Sequence, residues 1–225
     1  MTATLQLNIA RHATEARTLD LRTVPETLHA APGVFGDRVA FTLCKLLRLG
    51  ADLLFRRRYL HRSIVLETVA SVPGLVGAAL QHLRSLRVMR GRADMVKILM
   101  EESENERMHL MAFVELCQPN LLERLLVLLA QGMFFNGFFL LYLISPATAH
   151  RMVGYFEEEA VVSYTRFLEQ IDAGAIANMP IPEFARAYWH LDADARLREF
   201  VIAVRQDEAH HRDVNHQLAL IERSR

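Results

Sequence analysis

The chain has 225 residues, of which 52% are hydrophobic and 23% are charged, so it can form one large domain or two small ones. Its 26 basic side chains balance its 26 acidic ones, and this neutral balance argues against a nucleic-acid-binding protein. Cys44 and Cys117 match neither a zinc-binding nor a redox spacing, which predicts buried thiols and excludes a disulfide framework.

The predicted secondary structure is helical throughout, because no segment shows the strict alternation of a strand. Residues 1–36 are expected to form a loosely structured N-terminal arm, and residues 37–225 a single all-α domain. Pro73-Gly74 is expected to interrupt the second helix. Pro180 and Pro182 indicate a loop or short helix between the last two long helices. The long helices are predicted at about residues 38–60, 62–89, 92–117, 120–144, 147–173 and 192–225.

Two Glu-x-x-His motifs predict a metal site. Each motif places a carboxylate and an imidazole one helical turn apart on the same face. Ferritin-like bundles bind two iron ions with two such motifs and one Glu from each of two further helices. Carboxylates and imidazoles favour iron or manganese over copper or structural zinc. In chain order, the predicted ligands are Glu67, Glu106, His109, Glu157, Glu208 and His211.

A third Glu-x-x-His, at residues 26–29, follows Pro25 and precedes Pro32, so it has no long helix around it. We interpret it as a chance match. If the other two motifs were also chance matches, their Glu and His side chains would only form salt bridges on solvated helices of a protein that is not an enzyme. Their position inside long helical patterns favours the metal site instead.

Tyr164 is a candidate catalytic residue. It follows Glu157 by seven residues, almost two helical turns, so both side chains lie on one face. Small or apolar Ala160 and Val161 belong to the same inward stripe. A phenol beside a two-metal centre can supply an electron and a proton. The pattern fits equally well a core tyrosine bonded to a carbonyl group.

Residues 125–144 form an uncharged apolar stretch of about 20 residues, which is long enough to cross a bilayer. If it crossed, Glu106 and Glu157 would lie on opposite sides of a hydrocarbon core about 30 Å thick and could not bind one centre. No second clean span is apparent. We therefore expect this helix and the helix at 38–60 to lie on the membrane surface, with Arg56-Arg57-Arg58 at the lipid head groups. The alternative is a buried core helix.

Five segments together resemble the alternative oxidases, the cyanide-insensitive di-iron quinol oxidases. The resemblance covers about residues 36–220. It implies a ferritin-like four-helix di-iron bundle with two additional membrane-interfacial helices, usually a homodimer. The implied reaction oxidises ubiquinol and reduces O2 to water without pumping protons. The segments are LETVA with VPG (66–74), NERMHL (105–110), YFEEEA (155–160), SYT (163–165) and DEAHHRDVNH (207–216).

The resemblance also implies roles for residues outside the ligand set. Tyr164 would be the redox-active tyrosine. The quinol-binding residues would be Arg62, Leu66, Ala160 and Ser163. The residues that surround the centre and its hydrogen bonds would be Asn105, His150, Tyr188, Trp189 and Asp207.

The N-terminal segment bears on the expected location. It lacks a secretory signal core and carries Glu15 and Asp20, which argue against a transit peptide, so the mature chain is expected to begin near residue 1. We therefore expect a monotopic protein on the cytoplasmic face of a bacterial inner membrane, with the matrix face of the mitochondrial inner membrane as the alternative. Plant members carry a regulatory cysteine in this arm, but no cysteine precedes Cys44. The alternative function is a soluble di-iron carboxylate hydroxylase or an iron-storage protein.

Overall fold

A computed structural model of the protein describes residues 29–55, 59–89 and 93–224. Within these residues there are seven α-helices and no β-strand, so the all-α prediction is confirmed. Arg56-Arg57-Arg58, Glu26 and the arm up to residue 28 lie outside the described residues. The helices are α1 (Phe35–Phe55), α2 (Tyr59–Val88), α3 (Ala93–Cys117), α4 (Leu121–Ile144), α5 (Pro146–Asp172), α6 (Glu183–Tyr188) and α7 (Leu197–Arg223).

The core lies within a bundle of α2, α3, α5 and α7, in which α2 packs on α3 and α5 packs on α7. One almost completely buried side chain from each helix enters the same apolar cluster: Ile64, Phe113, Phe167 and Phe200. Two further helices lie outside these four, with α1 against α5 and α4 against α2. The bundle therefore holds the four candidate ligand segments on four neighbouring helices.

Helix α2 is continuous through Pro73, so the predicted interruption is wrong. Pro73 removes the hydrogen bond to the carbonyl group one turn earlier, which weakens an isolated helix. Tertiary packing compensates, because α2 and α3 lie unusually close at the next residue. A Cβ atom on Gly74 would lie 2.4 Å from the carbonyl oxygen of Leu99 and 2.8 Å from Cβ of Ser103. The Ser103 hydroxyl also donates to the carbonyl of Ser71 at 2.9 Å.

Among the described residues, two helices are long and apolar enough to cross a membrane by length and composition, namely Leu60–Val88 and Leu121–Ile144. The expectation that the sequence contains no second candidate membrane span besides residues 125–144 is therefore wrong. The two differ in burial: 56% of the apolar window in α2 is buried, but only 11% of the window in α4. This exposure does not fit the alternative of a buried core helix for α4.

One carboxylate fastens the start of α1 to α5 and α7. Asp37 accepts hydrogen bonds from Arg151 Nε at 3.3 Å and from Arg223, while its other oxygen accepts from the backbone N–H groups of Gly33 and Val34. Burial opposes ionisation, but the Arg223 hydrogen bond and the Arg151 charge outweigh it and lower the pKa of Asp37. The ionised form therefore stabilises the fold.

We predict that Asp37→Asn lowers the free energy of unfolding at neutral pH by roughly 2 kcal/mol, since charge-assisted hydrogen bonds are lost in a buried site. The contribution of Asp37 is present above its ordinary pKa of 3.8 and is lost as the pH falls through the lowered folded pKa. Urea unfolding at pH 7 and pH 3 measures this. The difference in the free energy of unfolding between Asp37→Asn and wild type should be smaller at pH 3 than at pH 7. The exposed Asp192→Asn variant should match wild type at both pH values. A pH-independent difference would contradict the charged role.

Candidate metal centre

The six predicted ligands lie on the four bundle helices and point into the interior. Each is at most 5% exposed, although carboxylates are rarely buried without a charge partner. Helix α2 supplies one, α3 two, α5 one and α7 two: Glu67, Glu106 with His109, Glu157, and Glu208 with His211.

Four of these residues converge on one point. Glu67, Glu106, His109 and Glu208 each offer a ligand atom within 4.8 Å of the others. His109 directs Nδ1 towards the group, at 3.4 Å from Glu67, 3.2 Å from Glu106 and 3.5 Å from Glu208. A single ion between these atoms would touch all three bundle helices that carry them.

The remaining two predicted ligands border this group. Nδ1 of His211 lies 2.6 Å from Oε1 of Glu106 and 3.9 Å from Oε2 of Glu208. Glu157 is within hydrogen-bonding distance of Glu208. The structure thus brings all six side chains into one buried cluster.

The unsatisfied polar atoms of the cluster test whether it fits a metal ion. Buried polar atoms are nearly always hydrogen-bonded, so each exception needs an explanation. Within the described residues, four atoms of the cluster are buried without a partner in hydrogen-bonding geometry, although two of them, Oε1 of Glu106 and Nδ1 of His211, lie 2.6 Å apart. The four atoms are Oε2 of Glu67, Oε1 of Glu106, Oε2 of Glu208 and Nδ1 of His211. Cations held by oxygen and imidazole ligands would satisfy these atoms, and this set of ligand atoms suits iron or manganese.

The electrostatics of the cluster favour added positive charge. Burial and the charge of Glu208 raise the pKa of Glu67 well above its ordinary value, and burial, Glu208 and Glu106 do the same for Glu157. Burial opposes the charged form of both histidines, yet Glu106 and neighbouring carboxylates raise the pKa of His109 and His211. The histidine charges in turn outweigh burial and lower the pKa of Glu106. Protons on Glu67, Glu157 and the two histidines are therefore favoured and offset the remaining carboxylate charge, which is expected where carboxylates are held together for a cation.

His109 is oriented through its outer nitrogen. Its Nε2 lies 3.3 Å from Oδ2 of Asp207, and its ring stacks on Trp189 at 5.6 Å between centroids. Asp207 also accepts from Trp189 Nε1 at 2.7 Å and from Asn105 Nδ2 at 3.1 Å, and Asn105 reaches Tyr188 at 3.4 Å. Four of the residues expected around the centre thus form one network with His109. His150, the fifth, hydrogen-bonds Tyr142 and Asn215 instead.

Tyr164 contacts a predicted ligand directly. Its buried hydroxyl donates to Oε1 of Glu67, and its ring stacks on Phe113. The side chain of Ser63 is near enough to the phenol to act on its pKa, in the lowering direction. Burial and the charge of Glu67 raise the pKa of Tyr164 well above its ordinary value. On the same helix, the hydroxyl of Tyr155 donates to the backbone carbonyl of Ala30 at 2.9 Å. Tyr155 thus has the carbonyl-bonded arrangement that was the alternative for Tyr164.

Arg62 lies near the start of α2 and is 7% exposed. One terminal nitrogen forms an ion pair with Asp52, while Nε is buried without a hydrogen-bond partner in the described residues. Leu66 follows it by one turn on α2, and Ala160 and Ser163 lie on α5; all three are partly buried. The quinol-binding role of these four residues stays a prediction.

Three buried residues beside the cluster are not among the residues predicted from the sequence. Ser63 contacts Tyr164, and Glu102 and Asn215 hydrogen-bond each other. For two of them, helical spacing could have indicated a place beside the ligands. Glu102 precedes Glu106 by one turn, and Asn215 follows His211 by one turn.

Comparison with known proteins gives one family. The family model of the alternative oxidases matches residues 19–220. The chain is 52% identical over 205 residues to the mitochondrial ubiquinol oxidase of Batrachochytrium dendrobatidis, covering 91% of this chain and 65% of that protein. It is 56% identical over 190 residues to mitochondrial ubiquinol oxidase 2 of Glycine max (84% and 57%), and 55% identical over 199 residues to mitochondrial ubiquinol oxidase 1a of Arabidopsis thaliana (88% and 55%). The chain therefore spans 55 to 65% of the length of these relatives.

These relatives correct the expected location. The bacterial inner membrane is contradicted, because all three relatives are named mitochondrial. Their names fit the alternative, the mitochondrial inner membrane. The bacterial location was inferred from the short N-terminal arm. Targeting segments are independent of the folded domain, so the arm is a weak guide to the compartment.

Proposed function

The chain belongs to the alternative oxidase family, and we propose that it is a di-iron quinol oxidase that oxidises ubiquinol and reduces O2 to water without pumping protons. The observation that carries this proposal is the buried cluster on four helices. Several of its ligand atoms have no partner in hydrogen-bonding geometry, and the hydroxyl of Tyr164 donates to Glu67. A soluble di-iron hydroxylase or an iron store is less well supported, because the relatives are named ubiquinol oxidases and α4 exposes most of its apolar surface.

We assign the two iron ions to the six clustered residues. Four carboxylates would balance the charge of two ferrous ions, and each histidine would bind through the Nδ1 atom that faces the cluster. When bound, two iron ions supply the redox chemistry that links quinol oxidation to O2 reduction. The ligands are Glu67, Glu106, His109, Glu157, Glu208 and His211.

The reaction balances without a further reactant. Two quinols release four electrons and four protons, and one O2 needs four of each to form two waters. If the protein lies on one face of the membrane, the protons are released and consumed on the same side. Oxidation therefore proceeds without proton pumping.

The quinol would bind where α2 and α5 carry Arg62, Leu66, Ala160 and Ser163. A quinol oxygen would accept from the free Nε of Arg62, which the ion pair with Asp52 helps to hold in place. Tyr164 would give its hydroxyl proton to Glu67 along their hydrogen bond as its ring gives up an electron for the reduction of O2, and quinol would return the electron and the proton.

Membrane attachment would use α1 and α4. Leucine and phenylalanine side chains on both helices are exposed, and an apolar face of this kind enters the boundary between lipid head groups and acyl chains. We propose a monotopic protein of the mitochondrial inner membrane, on its matrix face, and a homodimer as the family resemblance implies. Exposed apolar side chains of these helices include Leu46, Leu49, Leu53, Leu122, Leu128, Leu129, Met133, Leu140 and Ile144.

The metal assignment is tested with Glu106→Ala and Glu208→Ala. Each removes a ligand from the middle of the cluster, so bound iron and quinol-driven O2 uptake should be lost while helix content survives. Glu104→Ala is the matched control, because Glu104 is exposed on the same helix and pairs with Arg107. Iron analysis and O2 uptake with a short-chain quinol, with and without cyanide, measure the outcome. Wild-type uptake should resist cyanide, since no haem is required. Full iron and normal turnover in both variants would overturn the assignment.

The quinol role of Arg62 is tested with Arg62→Ala. Losing a charge-assisted hydrogen bond of roughly 1.5 to 3 kcal/mol should lower kcat/KM for quinol by about tenfold to a hundredfold. Steady-state kinetics over a range of quinol concentrations measure this. Arg198→Ala, which breaks an exposed pair with Asp172, should leave the kinetics unchanged. Identical kinetics in the two variants would refute the role.

The redox role of Tyr164 is tested with Tyr164→Phe against Tyr155→Phe. Both remove one hydroxyl from a buried ring on α5, but only Tyr164 touches a proposed ligand. Tyr155→Phe should lose about 1 kcal/mol of stability and keep its turnover. Tyr164→Phe should bind iron, stay folded and lose nearly all quinol oxidase activity. Near-normal O2 uptake by Tyr164→Phe would exclude an obligatory redox tyrosine.

A further inference from the structure

Residues 29–34 lie before α1 and belong to neither a helix nor a strand; we call this segment the strap. Four of its six residues are exposed. Three of its backbone N–H groups nevertheless donate to carboxylates, those of Ala30, Gly33 and Val34 at 2.8, 3.1 and 3.3 Å. Side chains of the helices, rather than regular secondary structure, therefore hold the strap in place.

Glu158 of α5 binds the first part of the strap. Its Oε1 accepts from the backbone N–H of Ala30, and its Oε2 lies 2.6 Å from Nδ1 of His29. One turn earlier on α5, the hydroxyl of Tyr155 donates to the backbone carbonyl of Ala30 at 2.9 Å. The centroid of the His29 ring lies 5.5 Å from that of Phe41 and 5.9 Å from that of Tyr155. The backbone and the side chain of the strap thus both contact the bundle here.

His216 of α7 contacts the same carboxylate. Its Nε2 lies 2.9 Å from Oε1 of Glu158, and its Nδ1 lies 2.9 Å from a terminal nitrogen of Arg151. A guanidinium only donates hydrogen bonds, so Nδ1 of His216 accepts and the proton on Nε2 is donated to Glu158. Arg151 and Glu158 are seven residues apart and share one face of α5. His216 therefore joins α7 to two turns of α5 at once.

The backbone of α5 leaves room for the His216 ring at Gly154. A Cβ atom on Gly154 would lie 2.4 Å from Nδ1 and Cε1 of that ring, so any larger residue would displace it. His216 is the last residue of the DEAHHRDVNH segment, and Glu158 lies inside YFEEEA. The proposed metal centre uses neither side chain, so both are available for another role.

Arg151 connects the two ends of the strap. Its Nε donates to Asp37 at 3.3 Å, and Asp37 accepts the backbone N–H groups of the last two strap residues. The hydrogen bonds therefore form a closed circuit through α5, α7 and α1. The circuit runs from the strap to Glu158, His216, Arg151 and Asp37, and back to the strap.

A segment held in this way can detach while the helices stay folded. Regions with exposed backbone and few buried contacts open at a lower free energy than the core. The strap is such a region, whereas α5 and α7 are largely buried. When the strap is docked, its bonds to Glu158 and Asp37 add to those that His216 and Arg151 make between the two helices.

We propose that residues 29–34 are a releasable strap that locks α5 to α7 when it is docked, and that its release loosens the α5–α7 interface. Glu157 precedes Glu158 on α5, and His211 lies on α7 five residues before His216. An opening of this interface would therefore reach the buried cluster. Residues 1–28 join the bundle through the strap, which couples them to the interface. Docking of the strap does not depend on the proposed iron site.

The strap is tested with His29→Ala, followed by hydrogen–deuterium exchange of the full-length protein. His29 is exposed, so the variant should fold. Amides of residues 29–34 should exchange about tenfold faster or more, as the loss of a charge-assisted hydrogen bond implies. Amides at the α5–α7 interface should also exchange faster, while those between α2 and α3 should not change. The control His82→Ala removes an exposed histidine of α2 and should match wild type throughout.

Gly154→Ala tests the circuit from the side of α7, with Gly132→Ala as its control. A Cβ atom on Gly154 displaces the His216 ring, but a Cβ atom on Gly132 meets nothing within 4 Å. Both variants gain helix propensity, so the difference between them isolates the displacement of His216. Gly154→Ala should speed the exchange of residues 29–34, while Gly132→Ala should leave it unchanged.

Three outcomes would contradict the strap. If His29→Ala speeds exchange in residues 29–34 but not at the α5–α7 interface, the segment is an attached tail and locks nothing. If exchange rises equally in all helices, including α2 and α3, His29 supports the whole fold rather than this interface. If Gly154→Ala folds and leaves the exchange of residues 29–34 unchanged, no circuit through His216 holds them. If Gly154→Ala does not fold, the comparison of His29→Ala with His82→Ala decides alone.

Discussion

The structure depends on bringing several carboxylates together inside an apolar bundle. Glu67, Glu106 and Glu208 lie within a few ångströms of one another and are almost completely buried. Removing ionised carboxylates from water is unfavourable unless positive charge or hydrogen bonds replace the water. Protons and the two histidines supply part of that charge, as the raised pKa values of His109 and His211 show. The atoms that still lack partners are what two iron ions would satisfy.

The surroundings of the cluster follow from this constraint. Ligands that repel one another need rigid support, and hydrogen-bond networks outside the cluster supply it. Asp207 on one side and Glu102 on the other are each held by amide or indole donors. Beyond these networks, apolar side chains from all four bundle helices enclose the site. Tyr164 belongs to this apolar cluster and donates its hydroxyl to Glu67. The proposed catalytic function and the stability of the bundle therefore depend on the same side chains.

Much of this arrangement could be predicted from the sequence because helical spacing is local. The i, i+3 spacing of Glu106 with His109 and of Glu208 with His211 predicts the two halves of the proposed centre, and the structure brings all four side chains into one buried cluster. Features that depend on tertiary contacts could not be predicted. Helix α2 continues through Pro73 because α3 packs closely against Gly74, and the sequence of α2 alone does not contain that information.

The other differences between the predicted and the observed structure also arise from tertiary contacts. The hydrogen bonds of His150 to Asn215 and of Asn215 to Glu102 join residues that are far apart in the chain. Helix α2 passes a hydropathy test as well as α4 does, and only burial in the fold separates the core helix from the exposed one. The compartment was predicted wrongly from the arm because the folding physics of the bundle does not determine it.

The central claim is that the cluster holds a pair of iron ions in oxygen and nitrogen coordination. Mössbauer spectroscopy of the wild-type protein, reconstituted with iron-57 and combined with iron and protein analysis, tests it most directly. The account predicts two irons per chain with the magnetic coupling of a carboxylate-bridged pair. A single uncoupled iron, or iron that a mild chelator removes completely from the wild-type chain, would contradict it.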